Sequence, residues 1–521
     1  MLLFSSPGVT IPRMIALAIN SPAWPLLSPA LIEPARTAAL LLLFGVLGLI
    51  AVASSRTADR LGVPAVLVLL ILGMLAGREG FGGVAFNDYH FAFRLGTVAL
   101  ILILFEGGFN TSPGTLRSSL APAALLATVG VALTAGIVAA LAYLFGLDVS
   151  ESLLIGAVVS STDTAAVFAV LRGGSLRLQP RMSRLIELES CLNDPMAVIL
   201  TTSVVAVLEH HHPIWWKLFA DVPLQLLIGS VVGAALGVAA RTALRRLRLA
   251  STGLLPAFTL AAAFASFGAA TLAGGSGFLA VYMTGLMMDA QSLPFKNGLA
   301  RVHAALGWLG QIGMFLMLGL MVRPSELLQV AGIGVALAVL LAVAARPLAV
   351  AACLLPIGYS TKETAFIGWV GLRGAVPVIL ATFPVMAHLP GAQRIFNIVF
   401  FVVVVNTLFP GATIRWVTRR MGFVADEKPA PDAVLEINSP RPLSGEVKSF
   451  LIEPSVAVCG ARLRDIEFPQ AAAVMLIVRN DDLLAPRGET VFQPGDHVYV
   501  FFNRSDQPMM DLLFGRSEDA G

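Results

Sequence analysis

Charged residues are scarce in this sequence, at 13% of 521 residues, whereas soluble globular chains carry about 25%. Hydrophobic residues make up 57%, and the mean hydropathy of +0.82 excludes an ordinary soluble protein. The charges are also unevenly placed, because 40 of the 67 lie in residues 1–415 and the other 27 lie in the last 106 residues. The sequence therefore predicts a polytopic membrane protein that is followed by an aqueous tail.

Cysteine is rare as well, with three residues that lie far apart and form no CxxC pair. This excludes both a disulfide framework and a cysteine-based metal site. The formal net charge of +3 gives no reason to expect nucleic acid as a partner. Residues 1–36 lack the charged start and the small-residue cleavage site of a signal peptide, and we interpret them as an extracytoplasmic leader.

Thirteen apolar segments are candidates to cross a bilayer, whose hydrocarbon core needs roughly 20 residues per helix. They cover approximately residues 37–54, 61–77, 92–110, 121–146, 150–171, 184–208, 222–243, 253–273, 275–290, 303–322, 328–355, 361–386 and 393–415. In the loops and helix ends between residues 36 and 420, 17 Lys and Arg residues lie on one side of the membrane and six on the other on this topology. Because cytoplasmic loops hold the positive excess, the N-terminus is predicted outside and the tail in the cytoplasm.

The tail changes to the periodicity of short strands between residues 445 and 505, where runs such as HVYVFF alternate with turns such as QPGD. The predicted fold is an all-α polytopic membrane domain, residues 37–415, followed by a linker, residues 416–444. A small α+β cytoplasmic domain, residues 445–505, comes next. Residues 506–521 are predicted to be a C-terminal tail.

Five consecutive polar residues, Ser160 to Thr164, interrupt the fifth span. A charge inside the hydrocarbon region costs at least about 2.5 to 3.5 kcal/mol, so Asp163 is a functional candidate. Ser and Thr hydroxyls compete for backbone groups, which predicts local unwinding of this helix. The alternative is an ordinary helix whose hydroxyls bond back to the carbonyls of the preceding turn.

The sixth span carries two adjacent polar stripes. Glu189 and Asn193 are four residues apart and share one face of the helix, and Ser190 and Asp194 share the next. Arg346 lies deep in the eleventh span and needs a carboxylate partner there. We predict that Glu189 is this partner, because Asp194 is then left free to face an ion.

The twelfth span is also interrupted, by Gly371, Arg373, Gly374 and Pro377. It lies seven spans after the fifth, and an odd offset inverts the orientation of a span in the membrane. Spans 1 to 6 and 8 to 13 are therefore predicted to be inverted repeats, each with one broken helix. Two broken helices at equivalent places are typical of the binding site of an alternating-access transporter.

Four segments in this order, STDTAAVF, ELESCLNDPMAV, AARPLAV and WVGLRGAVP, together resemble the cation:proton antiporter superfamily. The resemblance is to its electroneutral branch, marked by an Asn-Asp pair, and to the bacterial potassium/proton antiporter subgroup with a TrkA-C-like tail. It implies a homodimer in the bacterial inner membrane, in which a core domain with two crossing broken helices moves against a dimerisation domain. A TrkA-C-like tail implies a small-molecule ligand, whereas a small solubility or dimerisation domain is the alternative.

The same resemblance implies roles for individual residues. The residues that would contribute to the ion site are Asp194, Asp163, Thr162 and Ser190. The residues that would pair charges or support the structure are Asn193, Glu189, Arg346 and Arg373. The chain departs from the usual Glu-Ser-Gly-x-Asn-Asp pattern, because Cys191 stands where glycine is common.

The predicted function is exchange of a monovalent cation for protons across the lipid bilayer, with no enzymatic activity, no cofactor and no metal site beyond that for the transported cation. The subgroup favours potassium, and sodium is the alternative. A Glu189–Arg346 pair that stays charged throughout the cycle would make this exchange electroneutral. Two rival functions are a passive cation channel, although no TVGYG-type filter is present, and an intramembrane aspartyl protease built on Asp163 and Asp194, although its Gly-x-Gly-Asp motif is missing.

Overall fold

The computed structural model describes residues 37–38, 41–50, 52–53, 65–84, 86, 88–111, 119–172, 176–209, 216–246, 253–288, 296–425, 445–480 and 482–515. The predicted leader and most of the predicted linker lie outside these residues. The chain divides into two units, of which the first comprises Met1–Gln291 and Leu299–Ala425. The second comprises Ser292–Gly298 and Asp426–Gly521.

Helices make up nearly all of the described part of the first unit, as expected where backbone groups have no water to bond with. Eight of the described helices are long and apolar enough to cross a membrane: Tyr89–Asn110, Leu120–Leu144, Pro180–Glu209, Ala220–Arg246, Leu254–Leu272, Gly298–Met321, Pro324–Ile357 and Ala392–Arg420. Shorter apolar helices are Leu41–Ile50, Leu67–Ala76, Val149–Val158, Gly277–Met288 and Val376–Met386. The predicted helical membrane domain is confirmed, and the count of thirteen spans stays a prediction.

Two helical segments are interrupted by non-helical backbone. The helix Val149–Val158 is followed by the half-helix Thr164–Arg172, and we call residues 159–163 between them the first break. The helix Thr361–Val370 is followed by Ala375–Leu380, and residues 371–374 are the second break. The run of polar residues from Ser160 thus coincides with unwound backbone.

Two further helices contain a single π-helical turn, at Leu126–Gly130 and at Leu341–Ala345. Such a turn inserts one extra residue and rotates the side chains that follow, and it occurs frequently at functional sites. The second π turn ends immediately before Arg346. It therefore helps to set the direction in which this buried arginine points.

The helices of the first unit pack mainly within two groups. The site bundle consists of the helices within residues 120–209 and 324–420, which include both breaks. The flanking bundle consists of the helices within residues 65–110 and 216–321. Close backbone approach holds the flanking bundle together, since a Cβ on Gly285 would lie 2.7 Å from the carbonyl oxygen of Phe105.

The second unit contains a small antiparallel sheet in the strand order β1-β4-β2-β3, with β1 Gly445–Leu451, β2 Ala473–Arg479, β3 Asp482–Leu484 and β4 His497–Asn503. The helix Gln507–Phe514 buries Met510 and Phe514 in the core of this sheet. The core thus extends past residue 505, the predicted end of the domain. The prediction of a small strand-containing C-terminal domain is confirmed.

Candidate ion-binding site

The two breaks lie against each other within the site bundle. The backbone N–H of Asp163 donates to the carbonyl of Leu372 at 2.8 Å, and Nε of Arg373 donates to the carbonyl of Val159 at 2.8 Å. Nη1 of Arg373 also donates to the carbonyl of Gly371 at 2.8 Å. The buried guanidinium therefore satisfies carbonyls at the C-terminal ends of both preceding helices, where the helix dipoles are negative.

Asp163 ends the first break and caps the half-helix that follows. Its Oδ1 accepts a hydrogen bond from the backbone N–H of Ala166 at 3.2 Å, as an N-cap residue does. Gly374 of the second break approaches it closely, because a Cβ there would lie 2.6 Å from both Cβ and Cγ of Asp163. Glycine at residue 374 therefore permits the contact between the two breaks.

Glu189 lies on Pro180–Glu209 and has an exposed side-chain fraction of 2%. Its Oε1 is 3.0 Å from Nη2 of Arg346 and accepts a hydrogen bond from Nδ2 of Asn193 at 2.8 Å. Its Oε2 accepts from the hydroxyl of Thr162 at 3.1 Å. Both carboxylate oxygens are thus engaged, and Arg346 compensates the negative charge.

Ser190 and Thr162 fasten the first break to the same helix. The hydroxyl of Ser190 donates to the carbonyl of Thr162 at 2.9 Å and accepts from the backbone N–H of Thr164 at 3.2 Å. The hydroxyl of Thr162 accepts from Asn193 at 2.5 Å and donates to Glu189. The hydroxyls of these two predicted ion ligands therefore bind protein groups and position the break.

Asp194 is half-buried on the neighbouring face of the helix, and its carboxyl lies near the carboxylates of Asp163 and Glu189. Within the described ranges, no Lys or Arg forms an ion pair with Asp194, whereas Glu189 has Arg346. The arrangement separates one neutralised carboxylate from another that is available to a cation or a proton. The hydroxyl of Ser161 faces the carboxyl of Asp194.

Three residues with a place in this arrangement were not predicted as site residues: Ser161, Gly374 and Thr407. The hydroxyl of Thr407, on Ala392–Arg420, donates to the carbonyl of Arg373 at 3.0 Å and so supports the second break. Ser161 belongs to the polar run that predicts the first break, but nothing in the sequence separates it from Ser160. Thr407 carries no sequence signal, because a threonine in an apolar helix commonly bonds to its own backbone.

Comparison with known proteins identifies the family. Residues 46–420 match the family model described as sodium/hydrogen exchanger, transmembrane, and residues 447–515 match the TrkA-C domain. The chain belongs to the sodium/hydrogen exchanger family. This exchanger is 39% identical over 470 residues to the K(+)/H(+) antiporter NhaP of Alkalimonas amylolytica, a match that covers 90% of the chain and 82% of the relative.

Another relative of the exchanger is the K(+)/H(+) antiporter NhaP2 of Shewanella baltica, with 37% identity over 474 residues, 90% of this chain and 82% of that one. Among solved structures, the sodium proton antiporter MjNhaP1 from Methanocaldococcus jannaschii matches with a TM-score of 0.62 and 21% identity. The match covers 71% of the exchanger and 99% of that chain, and it shows a shared fold.

These matches confirm the resemblance to cation:proton antiporters with a TrkA-C-like tail. The family and the curated relatives are membrane transporters and not enzymes, which excludes an intramembrane aspartyl protease. The roles of the individual site residues of the exchanger stay predictions.

Proposed function

We propose that this exchanger moves potassium ions across the bacterial inner membrane in exchange for protons, by alternating access. The observation that carries the proposal is Asp194, which has no cationic partner among the described residues and lies beside the neutralised Glu189. A carboxylate inside a membrane domain holds either one proton or one monovalent cation at low cost, but not both. The relatives named K(+)/H(+) antiporters support potassium as the cation.

The exchange is one for one and electroneutral in this proposal. Asp194 carries no net charge when it holds either a proton or a monovalent cation. Glu189 and Arg346 form a neutral pair at 3.0 Å that takes no part in the exchange. One half of the cycle then moves a proton across the membrane, and the other half moves a monovalent cation in the opposite direction, so no net charge is transferred. Sodium is the alternative cation, because one carboxylate does not choose between hard monovalent ions without further ligands.

We infer thirteen spans arranged as two inverted repeats, spans 1 to 6 and 8 to 13. Irregularities at equivalent places support the repeats: π turns occur in spans four and eleven, and breaks occur in spans five and twelve. Prolines lie within the helices of spans six and thirteen, at Pro195 and Pro410. The excess of Lys and Arg supports an outer N-terminus and a cytoplasmic tail.

The domain organisation that we propose is the one predicted from the sequence, except that the C-terminal domain continues to residue 515, with a homodimer formed through the membrane domain. The match of residues 447–515 to the TrkA-C domain supports a small-molecule ligand on the tail. Such a ligand regulates transport only when it binds two states of the protein with unequal affinity.

Proton movement in everted membrane vesicles, followed with a pH-sensitive dye, tests the proposed function. We expect dequenching after addition of potassium chloride, less after sodium or lithium chloride, and none with any of these salts in Asp194→Asn. The amide keeps the size of the side chain but holds neither the proton nor the cation. Glu187→Gln, which changes a carboxylate on the same helix, is the matched control and should retain exchange. Dequenching that persists in Asp194→Asn would contradict the assignment.

A further inference from the structure

Two adjacent serines in the first break are equally buried but differ in their partners. Their exposed fractions are 0% for Ser160 and 1% for Ser161. The hydroxyl of Ser160 donates to the carbonyl of Ala157 at 2.6 Å. The hydroxyl of Ser161 forms no hydrogen bond of regular geometry within the part of the chain that the structure describes. A buried polar group that lacks such a partner destabilises the fold, so a fold retains one only where another factor compensates.

The position of Ser161 points to that factor. Its hydroxyl lies close enough to the carboxyl of Asp194 to interact with that group, although the contact does not have the geometry of a regular hydrogen bond. The neighbouring hydroxyls of Thr162 and Ser190 are already engaged with Glu189, Asn193 and the backbone of the break. Ser161 therefore offers an oxygen on the same side as the available carboxylate.

We propose that Ser161 supplies a hydroxyl oxygen to the transported cation beside Asp194 and thereby sets the cation affinity of the site. The inference rests on the proposed exchange of a cation at Asp194. Monovalent cations are held by several oxygen ligands, and the number and field strength of these ligands decide affinity and selectivity. A serine hydroxyl has two acceptor lone pairs, so it can bind a cation while its proton turns to another acceptor.

Ser161→Ala tests this role, and Ser160→Ala is its matched control. Exchange rates in everted vesicles are measured over a series of potassium chloride concentrations. We expect the apparent KM for potassium to rise about tenfold in Ser161→Ala while the maximum rate stays unchanged, because one neutral ligand is lost. In Ser160→Ala the hydroxyl removed serves only the backbone, so the apparent KM should stay that of the wild type.

An unchanged KM in Ser161→Ala would overturn the proposal, as would a fall in maximum rate alone, which indicates a structural role. An equal rise of the apparent KM in Ser160→Ala would overturn the proposal too, since any loss of a hydroxyl from the first break would then be enough to raise the KM. Ser161→Cys is the second variant if Ser161→Ala does not accumulate in the membrane. It keeps a side chain of similar size but replaces the oxygen by sulfur, a poorer ligand, so the apparent KM for potassium should rise in this variant as well. If the wild-type protein showed no potassium-dependent exchange, the proposed function itself would be refuted.

A second, independent observation concerns hydrogen bonds between the two bundles. Glu79 follows Ala65–Ala76 of the flanking bundle, and its two carboxylate oxygens accept from the backbone N–H of Ser325 at 2.8 Å and from its hydroxyl at 2.5 Å. Ser325 lies in the first turn of Pro324–Ile357 in the site bundle, whose own N-cap residue Arg323 makes no side-chain capping bond. Glu79 thus caps a helix of the other bundle, and these bonds lower its pKa.

A hydrogen bond of Tyr89 joins the bundles at the same end. The hydroxyl of Tyr89, at the start of a flanking helix, donates to Oε1 of Gln393 in the site bundle at 2.8 Å. Gln393 contacts Asn397, which donates to Glu326 at 3.1 Å. Glu326 pairs with Arg323 at 2.8 Å, so this chain of contacts reaches the helix start that Glu79 caps.

We infer that the contacts Glu79–Ser325 and Tyr89–Gln393 form an outer latch, which holds the bundles together on the outer side and opens when the ion site faces outward. The proposed topology places this end of the membrane domain outside. Alternating access requires the site bundle to move against the flanking bundle, so bonds between them must break in each cycle. The exposed bonds of Glu79 and the partly buried bond of Tyr89 can do so, because water replaces the lost partner.

Glu79→Ala tests the latch, with Asp88→Ala as the matched control. Asp88 caps a helix within its own bundle, through Oδ1 and the backbone N–H of Phe91 at 2.9 Å. In a background of Cys353→Ala and Cys459→Ala, a membrane-impermeant maleimide is added to right-side-out vesicles, and the rate of Cys191 modification is measured.

Cys191 lies on the helix of Asp194 and reports access to the site from outside. We expect Glu79→Ala to speed its modification about fivefold, because the outward-facing state gains population when the latch is weakened. Asp88→Ala should leave the rate unchanged. An unchanged or undetectable rate in Glu79→Ala, or an equal acceleration in Asp88→Ala, would overturn the latch. This result is independent of which cation the exchanger transports.

Discussion

Replacing Arg346 by leucine alone is expected to destabilise the membrane domain by about 3–5 kcal/mol. Arg346 and Glu189 are both exposed by only 2%, so the single change leaves a buried carboxylate without its cation. The two hydrogen bonds that Asn193 and Thr162 donate to that carboxylate do not compensate a full charge. The change should appear as a lower Tm of the purified protein and as a smaller amount of protein in the membrane.

The double variant Arg346→Leu with Glu189→Leu shows whether the loss of stability comes from the unpaired charge or from altered packing. Removing both charges is expected to restore most of the lost stability, because apolar side chains of similar volume often replace a buried ion pair without loss. Arg181→Leu is the control, since Arg181 is 60% exposed and pairs with Glu363 at 3.2 Å near the surface, a contact that contributes at most about 1 kcal/mol. A Tm of Arg346→Leu equal to that of the wild type would show that Glu189 does not depend on this arginine.

The charge pair could be predicted from the sequence because a lone charge inside a bilayer is so costly. Arg346 needs a carboxylate partner inside the bilayer. On the sixth span Glu189 shares one face of the helix with Asn193, so choosing Glu189 as the partner leaves Asp194 on the next face for an ion. The structure places Arg346 and Asn193 in contact with Glu189, at 3.0 Å and 2.8 Å. The two breaks could be predicted for a similar reason, since consecutive polar residues and glycines are incompatible with a continuous apolar helix.

The direction of each hydroxyl in the first break could not be predicted. Side chains follow helical periodicity only where the backbone is helical, and residues 159–163 are not. Thr162 and Ser190 therefore bind protein partners, while Ser161 faces Asp194, although all three are hydroxyl residues in one short motif. Contacts made across the fold decide these orientations, and they include the bond of Thr407 to the second break.

Gly374→Ala is expected to lower the exchange rate at least about 100-fold, since a misplacement of about 1 Å at a site can cost that factor. The added Cβ would lie 2.6 Å from Cβ and Cγ of Asp163, a separation that real side chains do not adopt. Either break must then move, and the bond from Asp163 N–H to the carbonyl of Leu372 at 2.8 Å ties them together. The rate is measured in everted vesicles and normalised to the amount of exchanger in the membrane.

Two other glycines provide a graded comparison for Gly374→Ala. A Cβ on Gly371 would lie 2.9 Å from Nε of Arg346 and 3.2 Å from Cγ2 of Thr162, so these side chains must give way and an intermediate loss of rate is expected. A Cβ on Gly136 would meet no atom within 4 Å, so Gly136→Ala should retain the full rate. Full activity of Gly374→Ala would mean that the breaks can separate without loss of exchange. The ion site would then not depend on the point where they meet.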